Sequence, residues 1–267
     1  MTAALESLNI VIGGLAIEVT ASDAAFIEML SGQYGEFVDS ETRAAIRLEV
    51  DLTDEPVALD ADADVQVSRE AGIWKLSRGD FDARYDPVRR YGTVRQSANR
   101  HSIDSVIRII HTLTLAQEGG FLLHSASAIR NGHAFLFAGR SGAGKTTLSR
   151  HAPGDAYLLS DEVSYVRKSG GVFLAWGTPF TGELGTAGVN CSAPVEALCF
   201  LRQATENRLV TVEEPEALRL LLANVLFFAN DPELVRQVFE SASEFVGAVK
   251  TFYLNCTPGD RVWELIR

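Results

Sequence analysis

The sequence has few cysteines and no long apolar run. Its three cysteines, Cys191, Cys199 and Cys256, are too few and too scattered for a disulfide framework or a CxxC metal site. We interpret them as small buried residues in a reducing compartment. No apolar run approaches the roughly 20 residues that a membrane helix needs. The N-terminal residues lack the basic region and apolar core of a signal peptide, so we expect a cytoplasmic protein.

Positive charge is also scarce. The 267 residues include 24 Lys and Arg against 35 Asp and Glu, which gives a formal net charge of −11. An acidic surface of this size repels phosphate backbones and anionic lipid, so we expect no nucleic-acid partner and no membrane partner. With 46% hydrophobic and 22% charged residues, the composition is that of a globular protein of one or two domains.

The N-terminal part shows mostly strand and turn patterns. Residues 8–19 predict a hairpin around Gly13-Gly14, since this turn tolerates positive φ at both positions. A short helix is expected next, capped by Ser22 and ended by Gly32.

Further strands are predicted at residues 44–52 and within 65–85, where apolar and polar residues alternate. Residues 87–101 are irregular and basic, which favours an exposed loop, or a surface that meets an acidic partner or phosphate. We therefore expect an N-terminal β-rich α+β domain over residues 1–100.

Helical signals return in residues 101–267, which we expect to form the second domain. Ser102 is predicted to cap a helix that ends at Gly119-Gly120. Two C-terminal helices are predicted, one from Pro215 to Phe228 and one from Pro232 to about Val249.

The motif with the clearest chemistry is a glycine-rich segment of the form GxxxxGK[ST], preceded by the apolar run His133–Ala138. Glycines let backbone N–H groups approach phosphate oxygens closely, the lysine would reach the β- and γ-phosphates, and the threonine hydroxyl would ligate Mg²⁺. We therefore predict a nucleoside triphosphate and Mg²⁺ as ligands. The predicted binding residues are Gly139, Arg140, Ser141, Gly142, Ala143, Gly144, Lys145, Thr146 and Thr147, although Arg140 fits a solvent-facing position equally well.

A histidine is expected at the rim of this loop. Asn131-Gly132 predicts a two-residue hairpin turn between the run 122–129 and the strand before the loop. Counting outward from the turn pairs Ala126 with Phe137 and His124 with Gly139. That register favours a site role for His124 over a role in the core.

Two adjacent carboxylates follow the loop. The apolar run Ala156–Glu162 ends in Asp161 and Glu162, where one acid could bind Mg²⁺ and the other could accept a hydroxyl proton; the alternative is a loop cap. Glu183 is the single carboxylate in the glycine-containing segment 176–185. It is either a second metal contact or a surface residue.

The run from His124 to Glu162 resembles the catalytic half of HPr kinase/phosphorylase and its stand-alone homologues. These proteins belong to the same P-loop branch as ATP-dependent phosphoenolpyruvate carboxykinase, and the resemblance covers roughly residues 120–190. It implies an α/β fold with a mixed-sheet P-loop core, beside the N-terminal β-rich α+β region.

The resemblance also implies residue roles. The family's histidine falls on His124, its lysine on Lys145, and its metal-binding glutamate on Glu183. Thr146 replaces the usual serine, and Glu162 replaces the second of two aspartates, of which Asp161 is the first. Because a carboxylate is kept, kinase chemistry stays open with altered geometry.

From these residues we expect an ATP-dependent kinase in which His124, Lys145, Asp161 and Glu162 are catalytic, and Thr146, Asp161 and Glu183 hold Mg²⁺. The resemblance implies that the acceptor is a serine hydroxyl of a small protein or precursor peptide, and it leaves a homo-oligomer open. Two alternatives remain: a nucleotide-binding regulatory module or slow ATPase, and a small-molecule kinase.

Overall fold

The computed structural model describes residues 5–53, 64–257, 259 and 261–266. The chain divides into two compact units. Unit 1 is Met1–Leu113 with Phe228–Asp231, and unit 2 is Thr114–Phe227 with Pro232–Arg267. Within the described ranges, no helix is long and apolar enough to cross a membrane.

Unit 1 contains a mixed sheet. Its strands are β1 (Glu6–Ile12), β2 (Leu15–Ala21), β3 (Ile46–Leu52), β4 (Gln66–Glu70), β5 (Ile73–Ser77), β6 (Phe81–Asp86) and β7 (Tyr91–Gln96). Within its described residues the strand order is β1-β2-β3-β7-β6-β5-β4. The pairs β2–β3 and β3–β7 are parallel and the others are antiparallel.

The first hairpin and the following helix show how local signals act in unit 1. Gly13 and Gly14 both have positive φ in the β1–β2 turn, which confirms the predicted hairpin. Helix α1 (Ala24–Tyr34) is capped by Asp23, whose carboxylate accepts the Phe26 N–H at 2.9 Å, so the prediction of Ser22 was wrong. The helix also passes Gly32, because the residue that leaves helical geometry is Gly35, with a φ of 45°.

The basic stretch 87–101 was wrongly predicted to be a loop. It contains β7, which pairs with β3 on one side and β6 on the other. In β7, Gly92, Val94 and Gln96 are buried, while the alternate residues Tyr91, Thr93 and Arg95 are exposed. Because the buried positions include a glycine and a glutamine, the alternation is weak in the sequence.

Helix α2 (Arg100–Gln117) begins before the predicted cap. The Asn99 side chain accepts the His101 and Ser102 N–H groups at 2.9 and 3.0 Å. The buried Ser102 hydroxyl instead donates to Asp80 at 2.7 Å. The prediction of Ser102 as the cap was therefore wrong by one turn.

Unit 2 holds a second mixed sheet, and its helices are α3 (Lys145–Arg150), α4 (Glu214–Leu222) and α5 (Pro232–Ala248). A short 3-10 helix spans Arg261–Leu265. The strands are β8 (Gly120–Arg130), β9 (His133–Ala138), β10 (Ala156–Ser160), β11 (Val163–Ser169), β12 (Val172–Trp176), β13 (Ser192–Gln203), β14 (Arg208–Thr211), β15 (Val225–Leu226) and β16 (Lys250–Cys256).

The predicted helix from Pro215 to Phe228 was too long. It ends at Leu222, and Val225 and Leu226 pair with β8 instead. The Asn224 carbonyl also accepts the His124 N–H at 2.8 Å. Tertiary pairing with β8 thus overrides the apolar pattern that would extend the helix.

The central strands of unit 2 are buried on both faces, so they are almost continuously apolar. On β9, Leu136 and Ala138 join the cluster covered by α4 and α5, where Phe245 packs edge-on against Phe121 at 5.4 Å between ring centroids. Phe135 and Phe137 face the opposite cluster with Leu148 and Trp263. Burial on both sides fixes the position of the strand that leads into the glycine-rich segment.

Candidate functional site

The segment Gly139–Thr146, called here the glycine-rich loop, leads from β9 into the first turn of α3. Gly142 and Gly144 have φ values of 77° and 109°, a region that favours glycine. A Cβ on Gly139 would lie 2.9 Å from the Ala143 Cβ, so the turn is too tight for a side chain there. Arg140 and Ser141 of this loop are exposed, as is Thr147, which follows it in α3.

Lys145 is turned into this loop. Its Nζ donates to the Gly139 carbonyl at 2.8 Å, and the residue is only 7% exposed. Burial lowers the pKa of the ammonium, while the carboxylates of Glu162 and Glu183 act in the opposite direction. The Lys145 ammonium is thus held against the glycine-rich loop, with the carboxylates of Glu162 and Glu183 nearby.

The neighbouring strand β8 changes partners where His124 lies. Residues 120–124 pair with β11, and residues 125–130 pair with β9. The observed pairs Arg130–His133 and Ala126–Phe137 confirm the predicted register, but the ladder stops at Ser125–Ala138. His124 pairs with Val163 instead, which places it at the point where the sheet divides.

His124 and Glu162 form a pair at this division. The His124 Nδ1 lies 3.4 Å from the Glu162 Oε1. Burial lowers the pKa of His124, the Lys145 charge lowers it further, and Glu162 opposes both. The imidazole is therefore neutral at pH 7.

Asp161 and Glu162 follow β10 and have different surroundings. The Asp161 carboxylate is 3% exposed and accepts the N–H groups of Gly182 and Leu184 at 2.9 and 3.0 Å, one on each oxygen. Asp161 therefore holds the segment around Gly182 beside Glu162. The Glu162 side chain is 34% exposed and faces His124.

Gly182 occupies the space between the two acids. A Cβ built there would lie 2.7 Å from the Glu162 Oε2 and 3.1 Å from the Asp161 Oδ2. The absence of a side chain at this position lets the backbone come close enough for its N–H to reach Asp161.

Thr146 and Glu183 also meet. The Thr146 hydroxyl donates to the Glu183 Oε2 at 3.1 Å. Hydroxyl and carboxylate oxygens are ligands that Mg²⁺ accepts, with phosphate oxygens and water completing its shell. Among the described residues, no group of three or more His, Cys, Asp or Glu could hold a metal ion without such help. Thr146 and Glu183 thus bring together a hydroxyl and a carboxylate, two oxygen types that a cation arriving with phosphates uses.

Sequence reasoning missed a group of buried hydroxyls beneath the acids. The Ser160 hydroxyl accepts the N–H groups of Glu162 and Val163 at 3.2 and 2.9 Å. Ser164 bonds to the hydroxyls of Ser125 and Ser127, both at 2.8 Å. The two serines inside the apolar run of β8 were the available signal, because a buried hydroxyl needs a partner.

The family model of SynChlorMet cassette protein ScmC matches residues 93–267, and the chain therefore belongs to this family. No curated protein matches the sequence. Among solved structures, the chain is similar to the Hpr(Ser) kinase/phosphatase from Coxiella burnetii, with 12% identity and a TM-score of 0.30. That similarity covers 54% of this chain and 85% of the other. The two chains share too little geometry for this likeness to assign a reaction.

Proposed function

We propose that the protein is an ATP-dependent kinase that transfers the γ-phosphate to a serine hydroxyl of a small protein or precursor peptide. The observation that supports this most is the meeting of three groups beside one glycine-rich loop. Lys145 is turned into the loop, and Glu162 is one of the two carboxylates whose charge acts on Lys145. The His124 Nδ1 lies 3.4 Å from the Glu162 Oε1.

The loop is the proposed phosphate site. Its backbone N–H groups and the Lys145 ammonium would stabilise the charge that spreads over the transferring phosphoryl group. Lys145 would exchange its bond to the Gly139 carbonyl for the β- and γ-phosphate oxygens. Thr146, Asp161 and Glu183 would hold Mg²⁺, which supplies neutralising charge for the phosphates.

Glu162 is the proposed proton acceptor, because both Asp161 oxygens already accept backbone N–H groups. The acceptor oxygen bonds to the γ-phosphorus as the bond from that phosphorus to the β–γ bridging oxygen breaks. ADP leaves with the electron pair, and the hydroxyl proton passes to the Glu162 carboxylate. The neutral His124 would orient this carboxylate.

The family description guides the choice of acceptor. Members are described as cassette proteins, so small polypeptides encoded in the same cassette are the first acceptors to test. The proposal includes a homo-oligomer, in which a second copy of the chain would help to bind the polypeptide that accepts the phosphate.

The test is transfer of γ-labelled phosphate from Mg-ATP to these polypeptides. Lys145→Ala should abolish labelling, and Glu162→Gln should slow it by about 100-fold or more, since a positioned general base contributes 10²–10⁴-fold. Glu28→Gln, an exposed substitution on α1, is the matched control and should label normally.

The outcomes separate the candidate functions. Label on a serine that disappears in both site variants supports the kinase. Mg-ATP binding without any labelled polypeptide contradicts it, and ADP release or a labelled metabolite would then identify an ATPase or a small-molecule kinase. If Glu162→Gln transfers phosphate at the normal rate, the assigned proton acceptor is wrong.

A further inference from the structure

A cavity lies against the glycine-rich loop, beside the charged groups described above. Its volume is about 270 Å³. The loop and α3 contribute Ala143, Thr147 and Leu148, and further walls come from Gln203, Ala204 and Cys256. Every described residue that lines the cavity is uncharged. The ligand that suits it is therefore a neutral group.

The sheet topology explains where this cavity lies. Strand β13 is parallel to both β9 and β16, so the carboxyl ends of the three strands share one edge of the sheet. Gly139 follows β9, Gln203 ends β13 and Cys256 ends β16. In open α/β sheets, ligands bind in the crevice outside the carboxyl ends of the strands.

Two hydrogen bonds join the walls. The Gln203 Nε2 donates to the Gly142 carbonyl at 2.9 Å, which ties the end of β13 to the loop. The Ala204 N–H donates to the Cys256 carbonyl at 3.1 Å, which joins the ends of β13 and β16. The cavity and the loop are thus parts of one connected structure.

We propose that this cavity binds the base of the nucleoside triphosphate whose phosphates the glycine-rich loop holds. The inference rests on the proposed function and extends it to the nucleotide's other end. Charged groups lie on the Lys145 side of the loop and uncharged walls surround the cavity, which matches the two ends of a nucleotide. The volume is just below the roughly 300–1,000 Å³ of drug-sized ligand sites, so it suits a single heterocycle.

Cys256 provides a probe of occupancy, because this half-buried residue is one of those that line the cavity. Burial raises the pKa of this thiol, so alkylation with N-ethylmaleimide should be followed at about pH 8.5, near the ordinary thiol pKa. Mass spectrometry of the full-length protein's peptides separates Cys256 from Cys191. Cys191 is exposed and Cys199 is buried, so the interpretation of all three cysteines as buried was wrong.

The two probes are Mg-ATP and inorganic tripolyphosphate, which carries the phosphates without a base. ATP at ten times its dissociation constant should slow alkylation of Cys256 about tenfold, because only the free protein reacts. Tripolyphosphate at the same saturation should leave the rate unchanged. Calorimetry establishes that each probe is bound.

Each other outcome overturns the proposal in a distinguishable way. If ATP binds and Cys256 reacts as before, the base lies elsewhere while the proposed function stands. If tripolyphosphate protects Cys256 as well as ATP does, the protection comes from the phosphates and not from a base. If neither probe binds, both the proposed function and the base site fail.

A cavity-filling variant provides a second, independent measurement. Ala204→Leu should weaken ATP by about tenfold or more, since added methylenes in a packed site displace the ligand, and it should leave tripolyphosphate affinity unchanged. Retained tripolyphosphate binding shows that the variant is folded. Ala25→Leu, at an exposed position of α1, is the matched control. Unchanged ATP affinity in Ala204→Leu contradicts the proposal.

Discussion

Replacing Gly182 by alanine tests the proposed geometry with the smallest change available. The new Cβ would lie 2.7 Å from the Glu162 Oε2, and the carboxylate must retreat by about 0.7 Å to restore an ordinary contact of 3.4 Å. The Glu162 Cβ would lie at 3.0 Å, so rotation of the carboxylate alone does not relieve the crowding. No positive φ adds backbone strain at this position.

The expected effect is on the rate of phosphoryl transfer. A misplacement of about 1 Å costs roughly 100-fold in rate, so a shift of this size should lower kcat by about 10- to 100-fold. Affinity for ATP measured without Mg²⁺ should change little, because Gly182 lies beside the two acids and outside the glycine-rich loop. Overpacking of this kind costs about 1–3 kcal/mol of stability, which urea denaturation would measure.

Gly154→Ala is the matched control. A Cβ at Gly154 meets nothing within 4 Å and this residue has no positive φ, so the variant should transfer phosphate normally. Equal rates for Gly182→Ala, Gly154→Ala and the unmodified protein would refute the assignment of Glu162 to the reaction.

Three further predictions concern the metal, pH and the buried hydroxyls. Glu183→Gln should raise the Mg²⁺ concentration that gives half-maximal transfer by about tenfold or more, since loss of a metal-site partner typically costs 10–100-fold in affinity; an unchanged Mg²⁺ requirement would exclude Glu183 as a ligand. Burial lowers the pKa of His111 to about 3, whereas an unfolded histidine titrates near 6.5. The unfolded chain therefore takes up this proton first as pH falls, and the free energy of unfolding should decrease below about pH 6.5, at up to about 1.4 kcal/mol per pH unit. In His111→Phe, urea denaturation at a series of pH values should give a smaller slope, by the contribution of one proton. An identical slope in both proteins would show that His111 does not cause the loss of stability. Ser160→Ala leaves the N–H groups of Glu162 and Val163 without their acceptor and should lower the free energy of unfolding by about 1–3 kcal/mol; full stability would show that other acceptors replace the hydroxyl.

Local chemistry made part of the site predictable. The glycine-rich loop and its strand are continuous in the sequence, and the turn at Asn131-Gly132 sets the pairing of β8 with β9 by counting alone. The position of His124 near the loop followed from that register, since each step along a hairpin is determined by the turn.

Long-range contacts were not predictable in the same way. Asp161 accepts N–H groups from Gly182 and Leu184, 21 and 23 residues further along the chain, and no local pattern reports such a bond. Strand β7 was missed because Gly92 and Gln96 occupy buried positions that apolar residues usually fill. The end of α4 was missed because pairing of Val225 with β8 is a tertiary interaction.

The hairpin of β8 and β9 also has a consequence for the order of folding. Its strands are joined by two residues, so it can form within about 1–10 μs at little cost in loop-closure entropy. Strand β13 pairs with β9 only after the chain has passed through α3 and three further strands, and such distant parallel contacts form slowly. Until then, the backbone edge of β9 is unpaired, and Phe135 and Phe137 lack the β13 residues of their cluster. We therefore expect aggregation during refolding to begin at this edge, beside the loop that we assign to phosphate.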